Sequence, residues 1–455
     1  MRADLVVLWS AIKEIHPGYG YYTSKDSLKL SYEQTYSSIK KPLYESEYIA
    51  HIYPFICKLR CGHTQIKHSS SYKDIPGLYP ARLPFKVLVH DDRVFITSRQ
   101  TDRLQTGDEI MSINNVPARE IIKHGFDLYS TDGYNKTFKE LFLSEYDGFE
   151  DACNKFYHWK GAYKMKVKSK KGEISEIIID TGKNSKNEFS STDFDNYKDW
   201  TDAGIPGNLK LHFYNNGSTA LFETKPFSYE DTITYKNVFH QVHAKNIKNL
   251  ILDMRHNSGG DIRVAIQLLS YLADAPFDII KDVKSRLPDP ALSKSAVYFD
   301  QERMNGFRQG YKITNKEGLW YHVETTAAMG TIYGPLALAK EDHFSGNLYV
   351  LIDGATFSSG ALFTAALKSR RRNVKFIGRE TAGSEEGCNG MVMQELTLPN
   401  TKISIDFPWM RVESAALKPS HGRGIMPDYH VNYEPEDIVI NKDRDLEEAM
   451  KQIRL

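Results

Sequence analysis

Two adjacent hydroxyls, Ser358 and Ser359, stand where a β-type run gives way to a helical one, a position suited to nucleophilic chemistry. The apolar run Leu348, Tyr349, Val350, Leu351, Ile352 breaks at Asp353-Gly354, and a small-residue pattern through Ala361, Leu362, Ala365, Ala366 and Leu367 follows. That order predicts strand, tight turn and helix. A serine in the first turn of such a helix lies beside unpaired backbone N–H groups and the positive end of the helix dipole, which favour a developing oxyanion. A serine there also reads as a simple helix cap, and the stretch alone does not separate the two. The elbow G-x-S-x-G is absent, since Phe357 precedes Ser358 and only Gly360 stands at a required offset. A second unit of the same kind begins at Asn249. The strand-like run Leu250, Ile251, Leu252 leads into the turn Arg255-His256-Asn257-Ser258-Gly259-Gly260-Asp261, and Ile262, Ala265, Ile266, Leu269 and Leu272 mark a helix. Paired glycines opening a helix can expose N–H groups to an anion, or can merely permit a sharp turn. A third candidate is His63, at the helix-to-strand corner Cys61-Gly62-His63-Thr64. Its ordinary pKa of about 6.5 suits a general base at neutral pH, although a lone histidine there also reads as a capping or core-edge residue.

The elements that must carry these residues are those of an ordinary globular protein. The 455 residues suffice for two or three domains with cores of their own. Lys+Arg 59 against Asp+Glu 58 leaves no global field to recruit nucleic acid or a membrane surface. The dense basic run Lys368-Ser369-Arg370-Arg371-Arg372 follows the helix that opens at Ser358, where cations complement the dipole, and reads as a solvated helix end. Cys57, Cys61, Cys153 and Cys388 have neither C-x-x-C spacing nor clustered histidines, so no zinc site is expected. Their redox state is open. No run of 18 apolar residues occurs, and Met1-Arg2-Ala3-Asp4 leads into an amphipathic helix without an h-region, so the expectation is either a cytosolic protein or one whose targeting segment has been removed.

Along the chain, residues 1–78 read as a helical domain, with apolar positions such as Leu5, Leu8, Ile12 and Ile52, Phe55, Ile56 at spacings of three and four. Residues 79–185 are β-rich, with a hairpin turn at His90-Asp91-Asp92 and an aromatic-rich insertion between about 120 and 160. Within it, Thr106-Gly107-Asp108-Glu109-Ile110-Met111-Ser112-Ile113-Asn114-Asn115 resembles the PDZ signature, with Asn115 replacing a glycine. A PDZ module takes a peptide carboxylate by β-augmentation, or can act only as scaffold. The polar residues 186–207 read as a linker, and 208–455 as the domain that carries both strand-turn-helix units.

These units in this order resemble the S41 serine peptidases, the C-terminal processing and tricorn-core group. LILDMRHNSGGD resembles the family's strand and R-x-N-x-G-G turn, and LYVLIDGATFSSGALFTAAL its nucleophile strand and helix. FIGRETAG is similar to the following G-x-x-T-x-G loop, GRGIMPDYHV to the closing G-[IV]-x-P-D motif, and HPGYGYY with CGHT to the leader domain of tricorn-like and bacterial members. The resemblance implies an α/β protein with a ClpP/crotonase-like ββα catalytic core, an N-terminal helical domain and a PDZ-like β-rich domain. It implies a Ser358 nucleophile with Ser359 as runner-up, and an oxyanion hole from Ser359 N–H and a Gly259 or Gly260 N–H. No cofactor or metal is implied. The family activates its serine by a lysine about 25 residues downstream or by an N-terminal histidine. The downstream stretch here is Ala382-Gly383-Ser384-Glu385, and Lys375 and Lys402 fall on predicted strands, so His63 takes the role. Glu386, Asn389 and Glu413 are candidates to orient it, and His421 stands near the position of a tricorn-like glutamate. Cys61 in place of an aspartate and Ala361 in place of a glutamate depart from the pattern. The implied activity is an endopeptidase or tail-specific processing protease acting on peptide or protein C-termini, in the periplasm or cell envelope. The alternative is a retinoid-binding-like ligand or peptide carrier on the same fold.

Overall fold

The computed structural model describes residues 1–73, 83–99, 103–159, 162–179 and 194–454. The N-terminal segment forms α1 (Arg2–Glu14), α2 (Lys25–Ser38) and α3 (Glu45–Cys57), whose apolar faces are buried. These helices share one core with the C-terminal half. Trp9, Phe55 and Leu59 belong to the same apolar cluster as Ile405, Phe407 and Trp409. Just past His63, β1 (Ile66–Lys67) pairs antiparallel with Ser404 and Ile405, so the histidine corner hangs from a sheet of that half.

The second module holds an antiparallel sheet of β2 (Phe85–His90), β3 (Arg93–Arg99), β4 (Glu109–Ile113), β5 (Val116–Pro117), β6 (Tyr163–Lys168) and β7 (Ile174–Ile179), in the order β2-β3-β4-β6-β7 with β5 on β4. Asp91 and Asp92 both have positive φ, the conformation a two-residue hairpin turn requires. The aromatic-rich insertion is largely helical: α4 (Ala118–Phe126), α5 (Thr137–Glu145) and α6 (Gly148–Asp151) pack on the sheet around a separate core of Val87, Ile96, Ile121 and Phe149. Helix α5 lies along β2, an edge strand among the described residues. Val89 N–H donates to Ser144 Oγ at 2.8 Å and Leu83 N–H to Glu150 Oε2 at 2.9 Å. A peptide adding to this edge would meet donors already engaged.

The C-terminal half contains β8 (Trp200–Asp202), β9 (Lys210–Tyr214), β10 (Thr219–Glu223), α7 (Asp231–Ala244), β11 (Asn249–Asp253), α8 (Ile262–Ser270), β12 (Ile280–Ser285), α9 (Gln301–Gly310), β13 (Tyr311–Glu317), β14 (Trp320–Thr325), β15 (Asn347–Ile352), α10 (Ser359–Arg370), β16 (Val374–Gly378), β17 (Gly387–Thr397), β18 (Ser404–Ser414), β19 (Tyr429–His430), α11 (Pro435–Val439) and α12 (Arg444–Arg454). The main sheet runs β19-β16-β15-β11-β10-β9-β8, parallel from β19 to β10. Both faces of β11 and β15 are covered, which is why they read as unbroken apolar runs. Residues 200–202, inside the stretch read as a linker, form the edge strand of this sheet, and residues 186–193 lie outside the described residues. A second sheet joins β1, β12, β13, β14, β17 and β18. No described helix is long and apolar enough to cross a membrane.

The basic run Lys368 to Arg372, which begins in the last turn of α10, departs from the sequence reading. Arg371 is buried, and its guanidinium donates to the carbonyls of Leu272, Phe344 and Gly346 beside Asp274. Lys368, Arg370 and Arg372 pair with Glu385, Asp278 and Asp274. A local charge run could not reveal that one member anchors three distant carbonyls. Arg371→Ala should lower stability by roughly 3 kcal/mol, because those acceptors lose their donor. The reading is a fall in the urea midpoint at unchanged slope, and an unchanged midpoint would refute the anchor.

Candidate active site

The two strand-turn-helix units lie side by side on β11 and β15, and their turns are laced together. Met254 N–H donates to Leu351 O at 2.9 Å, Thr356 Oγ1 to Met254 O at 2.9 Å, and Phe357 N–H to Asn257 O at 3.0 Å. Asp353 accepts the N–H groups of Ala355, Thr356 and His256 and shapes the turn after β15. Burial works to raise its carboxyl, but the bonds and charge of His256 outweigh that and hold it down at about 2. At the end of this turn Ser358 has φ 51° and ψ −125°, a conformation glycine adopts freely and other residues rarely do. Replacing Ser358 with glycine relieves that strain. Ser358→Gly should therefore raise stability by about 1 kcal/mol over Ser358→Ala, which keeps the strain. Equal thermal midpoints for the two variants would contradict it.

The strained turn presents Ser358 Oγ to His63, whose Nε2 lies 3.0 Å away. The imidazole packs on the Phe357 ring at 4.5 Å between centroids. Gly390 backs it closely, since a Cβ there would lie 3.3 Å from Nε2. Nδ1 is enclosed and makes no hydrogen bond among the described residues. Burial pushes the His63 pKa down to about 4, so the ring is neutral at neutral pH and can accept a proton. The following residue, Thr64, bonds the buried His16 at 2.7 Å. Because His16 Nδ1 accepts from Gly18 N–H, Nε2 carries its proton and donates to Thr64, which pins the HPGYG stretch to the histidine corner.

Gly259 and Gly260 supply the wall opposite. A Cβ on Gly259 would lie 2.7 Å from Ser358 Cβ, and one on Gly260 would lie 2.2 Å from Phe227 O; both residues have positive φ. Gly259 N–H donates to Asn257 Oδ1 at 3.0 Å, whereas Gly260 N–H and Ser359 N–H make no bond among the described residues. Of the two glycines the sequence leaves open, Gly260 therefore retains a donor. Ser359 Oγ donates to Gly260 O at 2.8 Å and is engaged away from His63. Ala361 is buried against the turn at Gly383, where an added Cβ would meet Ala361 Cβ.

None of the proposed orienting residues bonds His63 Nδ1. Glu386 accepts from Tyr22 OH, His421 Nδ1 and Gly422 N–H, with Arg411 3.8 Å away. Glu413 binds Lys284 at 2.8 Å. Asn389 is buried beside Gly390, and its Oδ1 makes no bond among the described residues. A residue the sequence reading passed over, Asp132, accepts Gly62 N–H at 2.8 Å directly beside His63. Its only local signal is the polar turn Ser130-Thr131-Asp132-Gly133 after α4.

A strained serine, a neutral histidine in reach and two free N–H groups are the parts that a serine hydrolase assembles. Residues 219–431 match the model of peptidase family S41. The Chlamydia pneumoniae protein CPj1016/CpB1054 is 26% identical in an alignment 239 residues long that covers 46% of this chain and 38% of that protein. The chain thus spans about two fifths of the length of that curated relative. Crystal structures of mature CPAF and of mature CPAF complexed with lactacystin share the fold, each with a TM-score of 0.62 over 100% of this chain. They cover 96% and 97% of those chains at 13% and 14% identity.

Proposed function

We propose that this chain cleaves peptide bonds through an acyl-enzyme, with Ser358 as nucleophile and His63 as general base. Ser358 Oγ attacks the scissile carbonyl carbon and its proton passes to His63 Nε2. The resulting oxyanion takes the N–H groups of Gly260 and Ser359. Protonated His63 then gives the proton to the leaving amine, and its low pKa makes it a strong acid toward that nitrogen. Water attacks the ester by the same route in reverse, which frees the carboxylate and restores the serine. The observation that carries this reading is the 3.0 Å contact between His63 Nε2 and Ser358 Oγ, two residues 295 positions apart in the sequence.

The substrates of this reading are unfolded proteins or peptides, with processing at C-termini as its narrower form, in the cell envelope. Peptides of one sequence with free or amidated C-termini test it, with products identified by mass spectrometry. New fragments that Ser358→Ala does not produce support the reading, and a strong preference for the free carboxylate supports the narrower form. A carrier on this fold would bind ligand and release no fragment.

A further inference from the structure

The base and the nucleophile come from different parts of the chain, and one segment of the second module touches both. Ser130 Oγ donates to Cys61 O at 2.7 Å, Asp132 Oδ1 accepts Gly62 N–H at 2.8 Å, and Gly133 N–H donates to Arg60 O at 3.1 Å. Every residue from Arg60 to Gly62 is thus bonded by this segment immediately before the histidine. A few residues on, the same segment reaches the nucleophile side. Asn135 Nδ2 donates to Thr381 O at 2.9 Å and Thr137 Oγ1 to Glu380 O at 2.7 Å. A Cβ on Gly354 would lie 2.5 Å from Thr137 O, and the Phe138 ring stacks on Phe357, the residue before Ser358.

We infer that residues 130–138 are a strap that holds His63 in register with Ser358, and that Asp132 is the positioning residue for the base, acting through Gly62 N–H. This rests on the reading of His63 as the base. Asp132 touches neither the serine nor the imidazole by a hydrogen bond, so its effect passes through the backbone. The geometry is tight enough for that to matter. A Cβ on Gly62 would lie 2.8 Å from Phe357 Cζ, so a shift of Gly62 away from Asp132 moves the histidine on its aromatic seat. A misplacement of about 1 Å in a reacting group costs on the order of 100-fold in rate. The role needs an acceptor oxygen rather than a charge. Asp132 is buried and burial raises its pKa to about 7, so near neutrality both protonation states are present and each offers an oxygen to Gly62 N–H.

The test compares Asp132→Ala and Asp132→Asn in the full chain by two readouts. Hydrogen–deuterium exchange of the Gly62 amide should speed up in Asp132→Ala and stay at the parent rate in Asp132→Asn. With a peptide the parent cleaves, Asp132→Ala should lose about 10- to 100-fold in kcat with KM within about twofold, and Asp132→Asn should stay within about threefold of the parent. If Asp132→Ala does not fold, Ser130→Ala takes its place, with faster exchange around Cys61 and a smaller loss confined to kcat. Parent-like exchange in Asp132→Ala, equal impairment of the two Asp132 variants, or a change in KM alone would overturn the inference. A parent that cleaves nothing would overturn the proposed function instead, while the exchange readout still decides whether Asp132 holds Gly62.

Discussion

Ser358→Ala is expected to lower kcat roughly 10,000-fold or more while leaving the fold intact. The size follows from what the hydroxyl does. In the proposed mechanism it is the atom that bonds the substrate, and the neighbouring Ser359 would not replace it, because Ser359 Oγ donates to Gly260 O. The residual rate would come from the Gly260 and Ser359 N–H groups acting on a water-attacked carbonyl. Alanine removes one oxygen from a turn held by Asp353, Thr356 and Phe357, so the turn should persist. Progress curves with a peptide substrate and the far-UV spectrum of the variant check the two halves of the expectation. A variant with a tenth of parent activity would remove Ser358 from the nucleophile's role.

His63→Ala should cost about as much as loss of the serine, since the proposed mechanism has the two act as one unit whose losses do not add. The double variant is expected to match either single one. In the proposed mechanism the histidine also sets the acid side of the pH profile. Its pKa is pushed down to about 4 from an ordinary value of about 6.5, because burial disfavours the imidazolium. The neutral form is the active one, so kcat/KM should rise with pH through about 4 and show no step near 6.5 from this group. A limb centred near 6.5 in the parent would mean that the imidazole sits in a wetter or more anionic setting than the fold gives it.

Much of this centre was legible in the sequence because its parts are local. The strands β11 and β15 announce themselves as short apolar runs, and the turns after them by glycine, aspartate and small residues. The choice of Ser358 over Ser359, and of His63 over a lysine, came through resemblance, and the geometry pairs those two residues. What stayed hidden depends on contacts without a local period. Nothing near Gly259 says that Asn257 takes its N–H, and nothing near Arg371 says that it is buried. The strap at Ser130 to Phe138 looked like part of an insertion, because its partners lie about 70 residues before it and more than 200 after it. Residues 200–202 read as linker because an exposed edge strand carries no apolar alternation.

The central claim is that Ser358, activated by His63, is a nucleophile in the folded chain. Labelling with a fluorophosphonate, followed by digestion and mass spectrometry, tests it without any assumption about substrate. One stable adduct on Ser358 is expected at neutral pH, absent in Ser358→Ala and greatly slowed in His63→Ala. An adduct on Ser359, or equal labelling of the parent and His63→Ala, would contradict it.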